Sequence, residues 1–128
     1  MDTALKKMTP EFCGSGQHKI SIEKFLEREG AILLDVRSRE EVNALRFDLD
    51  LFRISCLNIP IDELPDHYPE LPGDRFIGVF CSSGTRSAWA YIYLFSKGYN
   101  VRWIEGGNEE LARMLKPGRL HKKPSENI

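Results

Sequence analysis

Phe76-Ile77-Gly78-Val79-Phe80-Cys81-Ser82-Ser83-Gly84-Thr85-Arg86-Ser87 is the stretch on which the rest of the chain turns. Its first five residues are a continuous apolar run, the pattern of a strand buried on both faces. Cys81 to Arg86 are small or polar and make a loop. From Ser87 to Lys97, Ala88, Tyr91, Ile92, Leu94 and Phe95 recur at helical spacing, with Ser87 as the expected N-cap. Gly98 stands at the C′ position, where a left-handed residue is wanted.

The same alternation extends in both directions. Upstream, Ser21 opens a helix with Ile22, Phe25 and Leu26 on one face and Gly30 as its stop. Ala31-Ile32-Leu33-Leu34-Asp35 is another buried strand, and Ser38 with Glu41 makes a capping box for a helix running toward Phe47. Residues 46–54 carry no regular period. Ser55 to Ile59 is a strand ended by Pro60, followed by a short helical piece from Asp62 to Tyr68. Downstream, Val101 to Ile104 is a strand, and Gly106-Gly107 turns into a helix from Asn108 to Leu115 that Pro117-Gly118 stops. Strands alternating with helices predict an α/β fold, an open parallel sheet flanked by helices on both faces. Ligands bind such sheets beyond the C-terminal strand ends. Asp35, Cys81 and Glu105-Gly106-Gly107 stand at those ends.

At 128 residues and 14.7 kDa the chain is sized for one domain. The expected division is an N-terminal flexible arm over 1–17, a domain over 18–118 and a polar tail over 119–128. With 18 Lys and Arg against 19 Asp and Glu, there is no electrostatic footprint for general nucleic-acid binding. No apolar run is long enough for a membrane helix, and Met1 to Phe12 lack the apolar stretch of a secretory signal. Three cysteines, Cys13, Cys56 and Cys81, are too few and too odd for a disulfide framework and point to a reducing, cytoplasmic setting.

The loop at Cys81 concentrates the chemistry. A helix N-terminus offers unpaired N–H groups and roughly half a positive charge. Successive N–H groups of a loop curling there form an anion nest, and Gly84 lets the backbone turn. A sulfur in that bowl is expected to be a thiolate near neutral pH, and Arg86 adds a full positive charge. The same cysteine read as a small hydrophobe at a strand end would be inert; the glycine, the arginine and the strand-to-helix position favour chemistry.

With these residues in view, the chain resembles the rhodanese-like sulfurtransferase family. Cys81 followed by Ser82-Ser83-Gly84-Thr85-Arg86-Ser87 looks like the active loop of its single-domain members. Leu33-Leu34-Asp35-Val36-Arg37 with Glu41, Leu57-Asn58-Ile59-Pro60, and Ile104-Glu105-Gly106-Gly107 resemble further family segments in the same order. The resemblance implies a persulfide on Cys81, a substrate-binding loop from Ser82 to Ser87, and supporting roles for Asp35, Arg37 and Glu41. It implies a small anionic sulfur donor such as thiosulfate, a thiol or cyanide acceptor, in some cases a partner protein, and no cofactor. That agrees with the absence of metal-spaced Cys/His pairs. The chain departs from the family at Leu51-Phe52-Arg53-Ile54 and in the long link from Glu41 to Asn58. Leu111 stands where the family often has tryptophan.

Two other functions share these residues. One is a non-catalytic or partner-dependent sulfur carrier with the same loop. The other is a phosphatase or arsenate reductase of the same fold, whose loop is one residue longer. Among the remaining side chains, Asp35 is expected to hold loop N–H groups, and Arg37 and Glu41 to pair with each other. Cys56 is expected in the core and Cys13 as an incidental thiol or a resolving one. Trp89, Tyr91, Tyr93 and Phe95 are expected to pack. Arg102 and Trp103 are candidates for the pocket rim. His18, His67 and His121 lack ligand spacing, and Arg113, Lys116, Arg119, Lys122 and Lys123 read as a solvated face.

Overall fold

A computed structural model of the chain describes residues 1–115. The expected Pro117-Gly118 stop, the domain end at 118, the tail over 119–128, His121 and the basic residues from Lys116 onward lie outside these residues.

The two apolar runs make the middle of the sheet. Strands β1 (Lys19–Ile20), β2 (Ile32–Asp35), β3 (Ser55–Asn58), β4 (Ile77–Phe80) and β5 (Val101–Ile104) form one sheet in the order β1-β5-β4-β2-β3, every pair parallel. All four residues of β2 and of β4 are buried. Their alternating side chains feed two cores. Leu33, Phe80 and Ile104 point to one face, with Phe25 and Leu111 packed over them. Ile32, Leu34, Ile77 and Val79 point to the other, under Leu64, Tyr91 and Leu94. Seven α-helices are described: α1 (Asp2–Lys6), α2 (Pro10–Gly14), α3 (Ile22–Phe25), α4 (Arg39–Ala44), α5 (Leu64–His67), α6 (Thr85–Ser96) and α7 (Asn108–Met114). The α/β class and the two-faced parallel sheet are therefore as the sequence predicts.

The strand order positions a site. From β2 the chain goes to β3 on one side, then crosses back to β4 on the other, so the order reverses around β2. Asp35 stands level with Phe80 at the C-terminal ends, and Cys81 follows directly. A crevice opens at such a reversal.

Several elements differ from their expectation. The capping box at Ser38 forms as expected, but its helix ends at Ala44 rather than near Phe47. Ser21 caps α3, which is a single turn instead of running to Gly30. β1 carries no sequence signal because it is two residues long. Residues 1–17 hold two short helices; Ala4 is buried and the Phe12 ring lies 5.9 Å from that of Phe95 on α6. The irregular segment 46–54 contains a 3-10 turn at Asp50–Phe52 and buries Phe47, Leu49, Phe52 and Ile54. Cys56 is exposed as a residue, not core, because β3 is the edge strand, although its thiol is partly covered beside Asp35 and Phe47. Trp89 is not packed either; it is 62% exposed on the outer face of α6, whereas Tyr91 on the same helix is buried.

Candidate active site

The backbone after β4 wraps around the Cys81 sulfur. The Gly84 N–H donates to Sγ at 2.9 Å and the Ser87 N–H at 3.3 Å, and the Ser87 hydroxyl lies 3.4 Å away. Gly84 sits at φ 103°, a left-handed conformation that costs a side-chain-bearing residue energy. Gly84, not Ser87, is the N-cap of α6, so the cap stands three residues earlier than expected. The tighter turn places the Ser87 hydroxyl beside the sulfur, where it accepts from the Cys81 thiol and donates to the Gly84 carbonyl at 3.0 Å; once the thiol ionises, the hydroxyl can turn its one proton to the thiolate instead. Ser83 and Thr85 are exposed at the mouth, while Cys81 itself is only 1% exposed.

Burial alone would push the Cys81 thiol up. Hydrogen bonds from the Ser87 hydroxyl and from the N–H groups of Ser87, Ser83 and Gly84 outweigh it and hold the thiol below its ordinary value. Cys56 goes the other way: although the residue is exposed at the sheet edge, the partial covering of its thiol, helped by the charges of Asp35, Asp48 and Asp50, pushes it up to about 11. The two sulfurs thus differ in reactivity, as thiolate content governs nucleophilicity. Ser87→Ala is expected to shift the pH midpoint of Cys81 alkylation upward. Rates measured across pH check this, and an unchanged midpoint would remove the hydroxyl from the account.

Behind the loop stands a polar frame. The Arg37 guanidinium is fully buried and donates to both Asp35 carboxylate oxygens, at 2.7 to 3.1 Å, and to Asn108 Oδ1 at 3.3 Å. The Arg37 N–H also donates to Asp35. Asn58 Nδ2 bonds the carbonyls of Asp35 and Arg37, tying β3 to the same corner. The Asn108 N–H donates to the Ser82 carbonyl at 3.2 Å, so α7 holds the active loop from the other side.

Asp35 therefore holds the Arg37 side chain together with the Arg37 N–H in the loop after β2, rather than N–H groups of the Cys81 loop, and Arg37 does not pair with Glu41. Arg37 is drawn inward because Asp35, two residues away, reaches the same buried corner. Glu41 instead takes Arg86, with Oε1–Nη1 at 2.6 Å and Oε2–Nη2 at 2.9 Å, and Arg86 Nη2 also donates to Ser82 Oγ at 2.9 Å. Glu41 is held at about 2, first by Arg86 and then by the Ser38 N–H of the capping box. It is ionised at neutral pH. A lowered carboxyl adds stability that is full above its unfolded value and fades as pH falls toward 2; at 35% exposure that contribution is small.

The other candidates fall into place around this centre. Trp103 reaches the loop: its indole lies 3.8 Å from where a Gly84 Cβ would stand. Arg102 turns away to the Lys19 carbonyl. Cys13 is exposed on α2. His67 pairs with Glu70, and the His18 ring lies beside Trp103. Among the described residues, no group of three His, Cys, Asp or Glu could hold a metal ion. Asn108 was not anticipated, since nothing local marks it. The Glu41–Arg86 pair joins residues 45 apart in the chain, which no sequence spacing reveals.

The rhodanese-like domain model matches residues 20–114. A sulfurtransferase from Allochromatium vinosum is 29% identical over 86 residues, covering 66% of this chain and 75% of its own. The chain spans only 23% and 16% of two other curated relatives that it matches. Among solved structures, a NAD-dependent persulfide reductase from A. fulgidus is 33% identical with a TM-score of 0.59, over 76% of this chain and 16% of that one. A human single-domain sulfurtransferase is 26% identical with a TM-score of 0.61, over 77% of this chain and 97% of that one.

Proposed function

Because the chain belongs to the rhodanese-like domain family, we propose that it is a sulfurtransferase working through a persulfide on Cys81. The observation that carries this is the sulfur itself, set in a bowl of N–H donors with its thiol lowered against the effect of burial. Relatives and structural neighbours named as sulfurtransferases support the reaction class.

The reaction proceeds in two displacements. The Cys81 thiolate attacks the outer sulfur of a donor such as thiosulfate. The new S–S bond forms as the donor's S–S bond breaks, and sulfite leaves with the electron pair. The terminal sulfur now carries the negative charge. It lies within reach of the same N–H groups and of the positive end of α6, a helix of 12 residues. An acceptor thiolate or cyanide then attacks that terminal sulfur and releases the Cys81 thiolate. No redox cofactor or metal enters these steps. Arg37, Asp35 and Asn108 act as supports that hold Ser82 and the loop in place. Three unbridged thiols suit a reducing compartment, so a cytoplasmic setting belongs to the same proposal. No helix of the described residues is long and apolar enough to cross a membrane.

A partner-dependent carrier is the second reading, and the near-complete burial of the thiol favours it. Phosphate-ester hydrolysis is disfavoured, because the arginine that would grip a phosphate is engaged by Glu41. Cys81→Ala should abolish turnover of thiosulfate with cyanide, at least about 1,000-fold, while leaving the thermal midpoint nearly unchanged. Wild-type protein inert toward every small donor, yet accepting sulfur from a protein persulfide, would select the carrier reading. Release of aryl alcohol from an aryl phosphate would reverse the preference against hydrolysis.

A further inference from the structure

We propose that Glu41 sets the charge of the donor this site accepts, favouring the singly charged persulfide of a small thiol over a dianion such as thiosulfate. The proposal rests on the sulfurtransferase reading of Cys81.

A donor approaching Cys81 meets a sulfur that already carries negative charge. Among the described residues, the two arginines that frame the loop are each matched. Arg37 is held by Asp35 and is fully buried. Arg86 is held by both oxygens of Glu41 at the rim, where the two side chains are 30% and 35% exposed. The arginine of the loop therefore presents a dipole rather than a charge. Beside these pairs, the described residues offer the N–H bowl and the end of α6, worth roughly half a positive charge. That suits the one negative charge of a persulfide, R–S–S⁻. It does not offset the second charge of thiosulfate.

The chemistry with the favoured donor balances. The Cys81 thiolate attacks the outer sulfur of R–S–S⁻, the donor S–S bond breaks, and R–S⁻ leaves with the electron pair and takes a proton from solvent. The product is Cys81–S–S⁻, whose single charge faces the same N–H groups. Nothing is oxidised or reduced overall. The neighbour named as a persulfide reductase is consistent with a persulfide reaching such a domain.

Glu41→Gln tests this with little disturbance, because glutamine keeps the capping-box geometry and one contact to Arg86. Freed of its counter-charge, Arg86 should lower the KM for thiosulfate about fivefold with kcat little changed. The KM for the persulfide of 2-mercaptoethanol should move less than about twofold. A second measurement needs no sulfur transfer: alkylation of Cys81 by iodoacetate and by iodoacetamide, in a background with Cys13→Ser and Cys56→Ser. The ratio of the anionic to the neutral rate should rise about fivefold in Glu41→Gln and fall in Arg86→Gln. Opposite movements support the proposal even if sulfur transfer itself is absent, in which case only the sulfurtransferase reading fails. A ratio that stays constant in Glu41→Gln, or falls in both variants, overturns it whatever the turnover.

Discussion

Asp35→Ala should destabilise the protein by about 3–5 kcal/mol, more than any other single change at this site. The cause lies in its partner. The Arg37 guanidinium has no exposure to water and gives three side-chain hydrogen bonds to the Asp35 carboxylate. Removing that carboxylate leaves a buried charge with Asn108 and the Phe47 and Phe80 rings for company, each guanidinium-to-centroid distance being 5.4 Å. These contacts do not replace an ion pair. Thermal unfolding should drop by roughly 10–20 °C. Replacing both members, Asp35→Leu with Arg37→Met, should recover a large part of the loss, since an apolar pair needs no compensation. A midpoint within a few degrees of wild type for Asp35→Ala would mean that Arg37 finds water the buried corner does not offer.

The second large effect is expected on activity. A Cβ at Gly107 would stand 2.0 Å from the Ser82 carbonyl oxygen and 2.7 Å from its carbon. Backbone, unlike the tip of a flexible side chain, cannot step aside cheaply. Gly107→Ala should therefore push Ser82 outward and break the Asn108 N–H bond to it. The N–H groups that converge on Cys81 would lose their alignment. A displacement of about 1 Å at a reacting centre costs about 100-fold in rate, so kcat/KM should fall by that order, while stability drops only about 1–3 kcal/mol. Steady-state kinetics beside a denaturation curve separate the two. Full activity in Gly107→Ala would show that the loop does not depend on this seat.

Both effects run through contacts that the sequence shows unevenly. The strand from Phe76 and the loop from Cys81 are legible because burial on two faces leaves an unbroken apolar run, and a glycine must stand where the backbone turns left-handed. Glu41 beside Ser38 is legible because a capping box acts over three residues. The same residue's partnership with Arg86 is not, because it depends on α4 and α6 meeting across the sheet end. Cys56 shows a different limit. Cys56 next to Leu57 in a short strand reads as core, yet strand order makes β3 an edge and exposes it. Helical spacing places Trp89 within α6 but cannot say whether another element covers its face, and in the described residues none does. Ser87 is a good N-cap by type, but the sulfur draws the turn tighter and Gly84 takes the position.

The central claim is that Cys81 carries the sulfur. Its direct test is the mass of the peptide containing residue 81 after the protein meets a sulfane donor and excess donor is removed. The account predicts a gain of about 32 Da on that peptide, one sulfur as in a covalent intermediate, with none on the peptides bearing Cys13 and Cys56. Cyanide should then release one equivalent of thiocyanate and restore the original mass. A folded protein whose Cys81 peptide stays unmodified by thiosulfate and by persulfide donors alike, or whose sulfur resides on Cys13 or Cys56, would contradict it.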